Sequence, residues 1–535
     1  MKPARVLSIA LVTCLLSAPA GAEDLSLAGS TAPGENVDLT FRGTPGQPVL
    51  LFVSAGFSPT PIPVPGGDFW LDLSSIWFMI PLGSMPGPEL SIGAQIPPNP
   101  AFVGAAIHLQ AGAPEVTNPV SMVIRNPDKV VAGVGAGDRL GAMVLPADFD
   151  GDGTLDFFVS AEGANGAGRV DMFSGAAATF VQSANDPTPE AGAKFGNALA
   201  VGDVNGDGNL DLIVGAPFAA AASGEVWILH GPTFANQTHL PAAVFGGGFG
   251  TALAVGDFDQ NGLVDVAVGA PGETVGGLPI AGRVRIYSGP PLIPLTTLVD
   301  PTPAGPALFG GAMHAGDGNG DGFDDLLIGA PTHAVGGIAG AGEAWRFDGP
   351  FTGAPTQYVD PQPTTNGAFG CRVKFGDVTG GPALDVLIGT PGGFGNVAIN
   401  PGGLRVGEVQ IYPDGNPAAV FELFDPTFED FQHFGMDVSA ADVNGDGKGD
   451  LIVGAFLGDR PGIPDAGQVF VYLGPELRQT FFVTPAISTA GAQFGVFGDA
   501  ADLDGDGRAE LIIGAPFDDS GAFVDAGTVT VVDLF

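Results

Sequence analysis

The stretch 203-DVNGDGNLDLIVGAP-217 sets Asp203, Asn205, Asp207 and Asp211 within nine residues and then runs straight into Leu-Ile-Val. Carboxylates packed this closely repel one another unless something positive sits among them. Two readings follow. Either the loop encloses a cation, or it is a solvated turn whose Asp and Asn side chains cap their own backbone. In either case the apolar run behind it reads as a strand buried on both faces.

The loop is one of seven. It recurs as 148-DFDGDGTLD, 257-DFDQNGLVD, 317-DGNGDGFDD, 377-DVTGGPALD, 442-DVNGDGKGD and 502-DLDGDGRAE, at intervals of 54 to 65 residues. Eight residues before each loop stands a Phe-Gly (Phe195, Phe249, Phe309, Phe369, Phe434, Phe494), replaced in the first copy by Leu140-Gly141. Twelve residues after each loop start comes Gly-Ala-Pro or a relative (Gly215, Gly269, Gly329, Gly389, Gly454, Gly514), with Ser160 in the first copy. Alternating segments follow, such as 224-GEVWILHGP and 282-GRVRIYSGP, whose period of two marks strands buried on one face. Each unit therefore holds about four short strands, and four-stranded units repeated radially are the blades of a propeller.

The ends suggest how the ring closes. The last copy stops at Phe535, one strand short, while the segment before Leu140 resembles the fourth-strand segment 180–196. A strand near 120–126 is expected to complete the last blade and remove two open sheet edges.

Phe-Gly, the D-x-[DN]-x-[DN]-G-x-x-[DE] loop and Gly-Ala-Pro in this phase resemble the FG-GAP repeats of the integrin α-subunit propeller, over about 120–535. The resemblance implies an all-β, seven-bladed β-propeller. It also implies Ca²⁺ in the loop joining the first two strands of a blade and ligand contacts on the opposite face. The loop chemistry agrees, because oxygen ligands without His or Cys suit Ca²⁺ better than zinc or copper. Six loops are expected to bind it. The best charged are Asp148, Asp150, Asp152 and Asp156, and Asp502, Asp504, Asp506 and Glu510. Next come three sets with one Asn each: Asp203, Asn205, Asp207 and Asp211; Asp317, Asn319, Asp321 and Asp325; and Asp442, Asn444, Asp446 and Asp450. The set Asp257, Asp259, Asn261 and Asp265 lacks the Gly at position four but keeps its ligands. The loop at Asp377 has Thr379, Gly381 and Pro382 instead and is expected to hold no metal.

Composition sets outer limits. The formal charge is −40, from 58 acidic and 18 basic residues, which disfavours nucleic acid and anionic membranes as partners. Residues 1–22 read as a secretory signal, with Lys2 and Arg5 before the apolar run 6–16 and Ala20-Gly21-Ala22 at the cleavage point. A lipoprotein reading at Cys14 is the weaker alternative, since Thr13 is a poor residue there. No later apolar run is long enough for a transmembrane helix. Cys371 is then the one cysteine of the mature chain, so no internal disulfide is possible. Residues 23–118 lack the repeat and read as a small β-sandwich-like module, in which Trp70, Trp77 and Phe78 are better core than binding face. The propeller is assigned to 119–535.

No metalloprotease, lipase or phosphate-loop motif occurs, and the six histidines are scattered, with His230 and His314 expected as buried strand residues. The expectation is a monomeric, secreted or cell-surface/periplasmic, Ca²⁺-stabilised propeller that binds an extracellular protein or glycan. The longer loops 390–406, 455–466 and 515–526 are the candidates for recognition. A secreted hydrolase and a purely structural surface component are the alternatives, the former because FG-GAP repeats also accompany some secreted phospholipases.

Overall fold

The computed structural model describes residues 128–535 apart from 243, 304, 393–406, 426–432, 460–462, 478–479, 485–488, 520–522 and 535, and before residue 128 the backbone of nine strands. The expected signal segment 1–22, most of loop 390–406 and the side chains of Trp70, Trp77 and Phe78 lie outside the described residues. Two compact units divide the chain, with the changeover between Met122 and Val123.

The described backbone of the N-terminal unit consists of strands. Asp24–Gly29, Asn36–Arg42 and Glu89–Gln95 form one sheet. Ile76–Ser84, Pro48–Ser54, Ala106–Gly112 and Val120–Val123 form a second, and Phe57–Val64 pairs with Gly67–Leu71.

The second unit is a ring of seven four-stranded antiparallel sheets. In the second blade the order is Ala198–Gly202, Asp211–Ala216, Glu225–His230 and Asn236–Pro241, which is also the order in sequence. Five of the other blades repeat it, and the seventh takes its outer strand from elsewhere in the chain. The first strands lie side by side around the ring, from Leu140–Ala147 to Gly498–Ala501. Because the strands alternate in direction, the Asp loops between first and second strands all fall on one rim. The Gly-Ala-Pro loops and the connections between blades fall on the other.

Second strands are buried at every position, as their unbroken apolar runs require. The core lies between blades. Phe158, Val170 and Met172 of the first blade pack with Leu212, Val214 and Leu229 of the second, and the pattern recurs around the ring. Each repeat Phe, from Phe195 to Phe494, is completely buried in such a seam.

The glycines of the motif have a packing reason. Gly250 donates its N–H to Gly269 O at 2.9 Å within its own blade. A Cβ on Gly215 of the preceding blade would lie 2.1 Å from Gly250 O, and one on Gly224 would lie 2.0 Å from Phe249 O. Backbones touch across the seam, so only Gly fits. In the first blade Leu140 takes the place of the Phe and makes the same parallel bridge, to Gly527.

The closing strand differs from the expected one. Val120–Val123 is hydrogen-bonded into the N-terminal sheet, and Lys129–Ala132 completes the last blade, with Lys129 opposite Val531 and Ala132 opposite Thr528. The reason is reach and pattern. Gly133 N donates to Gly527 O at 2.8 Å and Leu140 N to Ala526 O at 2.9 Å, so the strand must sit directly before Leu140. There Val131 turns toward the seam between the last and first blades while Lys129 and Val130 stay exposed.

Candidate metal centre

Five of the seven Asp loops are built on one hydrogen-bond frame. In the second blade Asp203 Oδ1 accepts Gly206 N at 2.8 Å and Asp207 N at 3.1 Å, while its Oδ2 accepts Gly208 N at 2.8 Å. Asn205 Oδ1 accepts Asp207 N at 2.8 Å, and Asp207 Oδ1 accepts Asn209 N at 2.9 Å. The frame recurs at Asp257, Asp317, Asp442 and Asp502. The side chains thus curl the loop around one point, and Gly206 and Gly208 supply the positive φ this needs.

The ninth residue of the loop opens the second strand and is buried: Asp156, Asp211, Asp265, Asp325, Asp385 and Asp450 have no exposed surface, and Glu510 has 3%. In every blade but the fourth one oxygen accepts the N–H of loop position two, as in Val204 N to Asp211 Oδ2 at 3.2 Å. The other turns into the loop, where in several blades it also meets the backbone N–H that ends the third strand, as in Gly474 N to Asp450 Oδ1 at 2.8 Å. Burial pushes Asp325 and Glu510 up to about 7 and Asp450 up to about 6. A buried carboxylate of this kind needs a partner or a cation.

Three loops bring their carboxylates to within 4.8 Å of one another: Asp148, Asp150 and Asp156; Asp257, Asp259 and Asp265; and Asp502, Asp504 and Glu510. In the first of these Asp148 Oδ1 and Asp156 Oδ1 are buried and accept no hydrogen bond. These bare oxygens, converging from a hard-oxygen set, fit a Ca²⁺-sized cation.

The second, fourth and sixth loops carry an Asn (Asn205, Asn319, Asn444) where the clustered loops have an Asp, and in the second and fourth another side chain also reaches the ninth-position carboxylate. Across the ladder, the last residue of the third strand, or the one after it, faces that carboxylate. It is Ser174, opposite Asp156, in the first blade, and in the third Ser288, whose Oγ lies 3.3 Å from Asp259 Oδ2. In the second blade it is His230, with Nδ1 3.1 Å from Asp211 Oδ1 and 3.1 Å from Asn205 Nδ2.

The fourth blade departs furthest from the expected ligand set Asp317, Asn319, Asp321 and Asp325. Its frame is kept: Asn319 Oδ1 accepts Asp321 N at 2.8 Å, and Asp321 Oδ1 accepts Phe323 N at 3.0 Å. The free oxygens do not converge on open space, however. Asn319 Nδ2 lies 3.1 Å from Asp321 Oδ2 and 3.4 Å from Asp325 Oδ1, so the amide turns a donor to both carboxylates where a cation needs an oxygen. Asp348 adds a further carboxylate, and the Arg346 guanidinium enters, 3.8 Å from Asp325 Oδ2 and 3.4 Å from Gly318 O. Two of the six expected sites therefore have a basic side chain against the ligands. The fifth loop is closed by hydrogen bonds alone, with Asp385 accepting Val378 N, Thr379 N and Thr379 Oγ1 at 2.8 Å and Asp414 N at 3.0 Å.

Ser174, His230 and Ser288 were visible in sequence as the letter before the Gly that follows the third strand, but only the ladder register brings them to the loop. His230 and His314 do lie on strands, yet both keep some surface, whereas His333 and His433, on loops, are the buried ones.

Comparison with known proteins adds the following. The FG-GAP repeat model matches residues 195–229, 249–287, 434–472 and 494–532, the second, third, sixth and seventh blades. Phosphatidylinositol-glycan-specific phospholipase D of Rattus norvegicus is 33% identical over 189 residues, 31% of this chain and 22% of that protein. Integrin alpha-PS2 of Drosophila melanogaster is 32% identical over 246 residues, 41% of this chain and 17% of that protein. Integrin alpha-IIb of Homo sapiens is 34% identical over 154 residues, 25% and 14% respectively. The chain spans about a fifth or less of the length of the two integrins and little more of the phospholipase.

Proposed function

We propose that this FG-GAP repeat propeller is an extracellular binding protein whose blade loops are rigidified by Ca²⁺. The observation that carries the reading is the convergence of carboxylates in the first, third and seventh Asp loops, with Asp148 Oδ1 and Asp156 Oδ1 buried and unpartnered in the first. Ca²⁺ would be held by Asp148, Asp150, Asp152 and Asp156 in the first blade, by Asp257, Asp259, Asn261 and Asp265 in the third, and by Asp502, Asp504, Asp506 and Glu510 in the seventh. The sixth, Asp442, Asn444, Asp446 and Asp450, offers the same frame. In the second blade His230 competes for the place among Asp203, Asn205, Asp207 and Asp211. In the fourth, Arg346 and the Asn319 amide do so among Asp317, Asp321 and Asp325. These two are the weaker sites. Bound Ca²⁺ supplies positive charge where the carboxylates crowd and so pins each first strand to its second.

Recognition belongs to the opposite rim, which carries the Gly-Ala-Pro loops. Exposed apolar side chains gather there: Phe218, Phe245, Ile280, Phe523 and Val524, with Phe245 78% exposed. Surface of this kind on variable loops suits a protein or glycan ligand. The integrin relatives support an adhesive role, and the apolar segment at 6–16 supports export. Residues 23–118 form a separate module in this reading, ahead of the propeller.

The test is calorimetric melting with Ca²⁺ and with chelator, together with a metal count on the protein. Four to six bound Ca²⁺ and a melting temperature raised by about 5 °C or more support the reading, by mass action on the folded state. No bound metal and coincident melting curves overturn the calcium part.

A further inference from the structure

At the seam between the third and fourth blades lie three ionisable side chains that the Asp loops do not use. Asp300 follows the third blade's outer strand, Ile293–Leu298. His333 follows the Gly-Ala-Pro of the fourth blade, and Glu343 opens that blade's third strand, Glu343–Phe347. All three are buried. His333 Nδ1 is 2.8 Å from Asp300 Oδ2 and 3.2 Å from Glu343 Oε1. The far oxygens are held in turn: Thr302 N donates to Asp300 Oδ1 at 2.7 Å, and Gln357 Nε2 to Glu343 Oε2 at 2.7 Å. Both carboxylates are thereby aimed at one imidazole nitrogen. A single Nδ1–H reaches both carboxylates, and with Nε2 protonated as well the ring's charge fills the place that a metal cation would take.

We propose that this seam is a proton-dependent latch, in which protonated His333 ties Asp300 of one blade to Glu343 of the next and its deprotonation loosens the rim there. The first and second blades repeat the acidic pair as Asp186 and Glu225, but Ala219 stands at the position of His333, so the imidazole is particular to this seam. His333 also roots a loop. Its N–H donates to Ala330 O at 3.1 Å, its carbonyl accepts Gly342 N at 3.0 Å, and between them Val335 and Ile338 exchange hydrogen bonds. Losing the proton leaves two buried carboxylates facing a neutral ring, which strains the loop 331–342 and the Asp300–Thr302 connection together.

At the ring the electrostatics agree in direction, while at Glu343 burial outweighs the imidazole's charge and raises the carboxyl. Burial alone pushes the imidazole down, but the bond to Asp300 and the charges of Glu343 and Asp300 outweigh it and hold the ring above its ordinary value. A raised value stabilises the folded state fully below about 6.5, and the contribution is lost as pH rises through the folded value. Asp300 and Glu343 are the charged groups that face the ring among the described residues, and Thr302, Gln357 and Trp345 around them are neutral. The latch itself needs no ligand. Its effect on recognition rests on the binding role proposed for this rim.

The experiment is a proton NMR titration of the histidine rings in the full chain with Ca²⁺ present, His333 being identified by its loss in His333→Gln. The expected midpoint lies above 6.5, and Glu343→Gln lowers it by about one pH unit. Exchange at the Val335 and Ile338 amides, corrected for intrinsic rates, accelerates about tenfold from pH 6 to 9 in the parent and stays flat in His333→Gln. A midpoint at or below 6.5, or pH-independent exchange in the parent, overturns the latch. So does stoichiometric Zn²⁺ or Mn²⁺ binding that His333→Gln abolishes, which would make the triad a metal site. If His333→Gln does not fold, His333 is identified as the ring whose midpoint Glu343→Gln lowers, and the absence of any such ring overturns the latch. None of these readouts involves a binding partner, so failure of the binding role leaves the test intact.

Discussion

Asp156 and Asp385 hold the same loop position, are equally buried, and have opposite surroundings. Asp385 accepts four hydrogen bonds, two of them from Thr379, while Asp156 Oδ1 accepts none. The two positions should respond differently to loss of charge. Asp385→Asn is expected to cost about 1–3 kcal/mol whether or not Ca²⁺ is present, since an amide cannot accept the same set. Asp156→Asn should destabilise comparably in Ca²⁺ but be neutral or stabilising in chelator, where it removes a buried unpaired charge. Denaturant melts of both variants under both conditions check this, and equal Ca²⁺ dependence in the two would refute it. The spacing of Asp and Asn made the loops legible. The competing side chains His230 and Arg346 were not, because they arrive from the third strand by register. Nor was the turn of the Asn319 amide toward Asp321 and Asp325, since the letter Asn offers an oxygen and a donor alike.

At the scale of the element, the seams between blades are where charge is managed. Glu273 is paired by Arg285, with Nη2 2.9 Å from Oε2, and Glu343 has His333. At the next seam Glu408 is buried beside Asp360 and Glu422, and in sequence Gly393 stands where the fourth blade has His333. Burial, then the charges of Asp360 and Glu422, push Glu408 up to about 8. A carboxyl raised in the folded state favours folding at low pH, and that contribution is lost as pH climbs from about 4.5 through about 8. Glu408→Gln should therefore melt no lower than the parent at pH 8.5 and flatten the decline between pH 5 and 8.5. A variant that melts several degrees below the parent at pH 8.5 would show that the charge is compensated. The alternation of the third strands placed Glu408 and Glu343 on them from sequence. Which carboxylate meets a base was decided by tertiary contact: Arg285 reaches Glu273 and His333 reaches Glu343 within a blade, while Asp300 meets His333 across the seam.

For the whole ring, closure depends on Lys129–Ala132, which pairs with Thr528–Val532 across nearly the full length of the propeller sequence. Removing residues 1–132 is expected to leave the 528–532 edge unpaired, lower the melting temperature by several degrees, and make the protein associate with rising concentration. Light scattering and melting of the truncated chain test this. A monomeric truncation with unchanged melting would mean that closure contributes little. Among the described residues no helix is long and apolar enough to cross a membrane.

Seven phased copies of an acidic loop between Phe-Gly and Gly-Ala-Pro were enough to specify the blade, the number of blades and the loop that gathers the carboxylates. Those signals are local: strand periodicity, turn glycines and ligand spacing all act within one repeat. The tertiary structure alone decided which strand closes the ring, which loops face a histidine or an arginine instead of open space, and which buried carboxylates find a base across a seam. These depend on contacts between residues tens to hundreds of positions apart, and no spacing within a repeat encodes them.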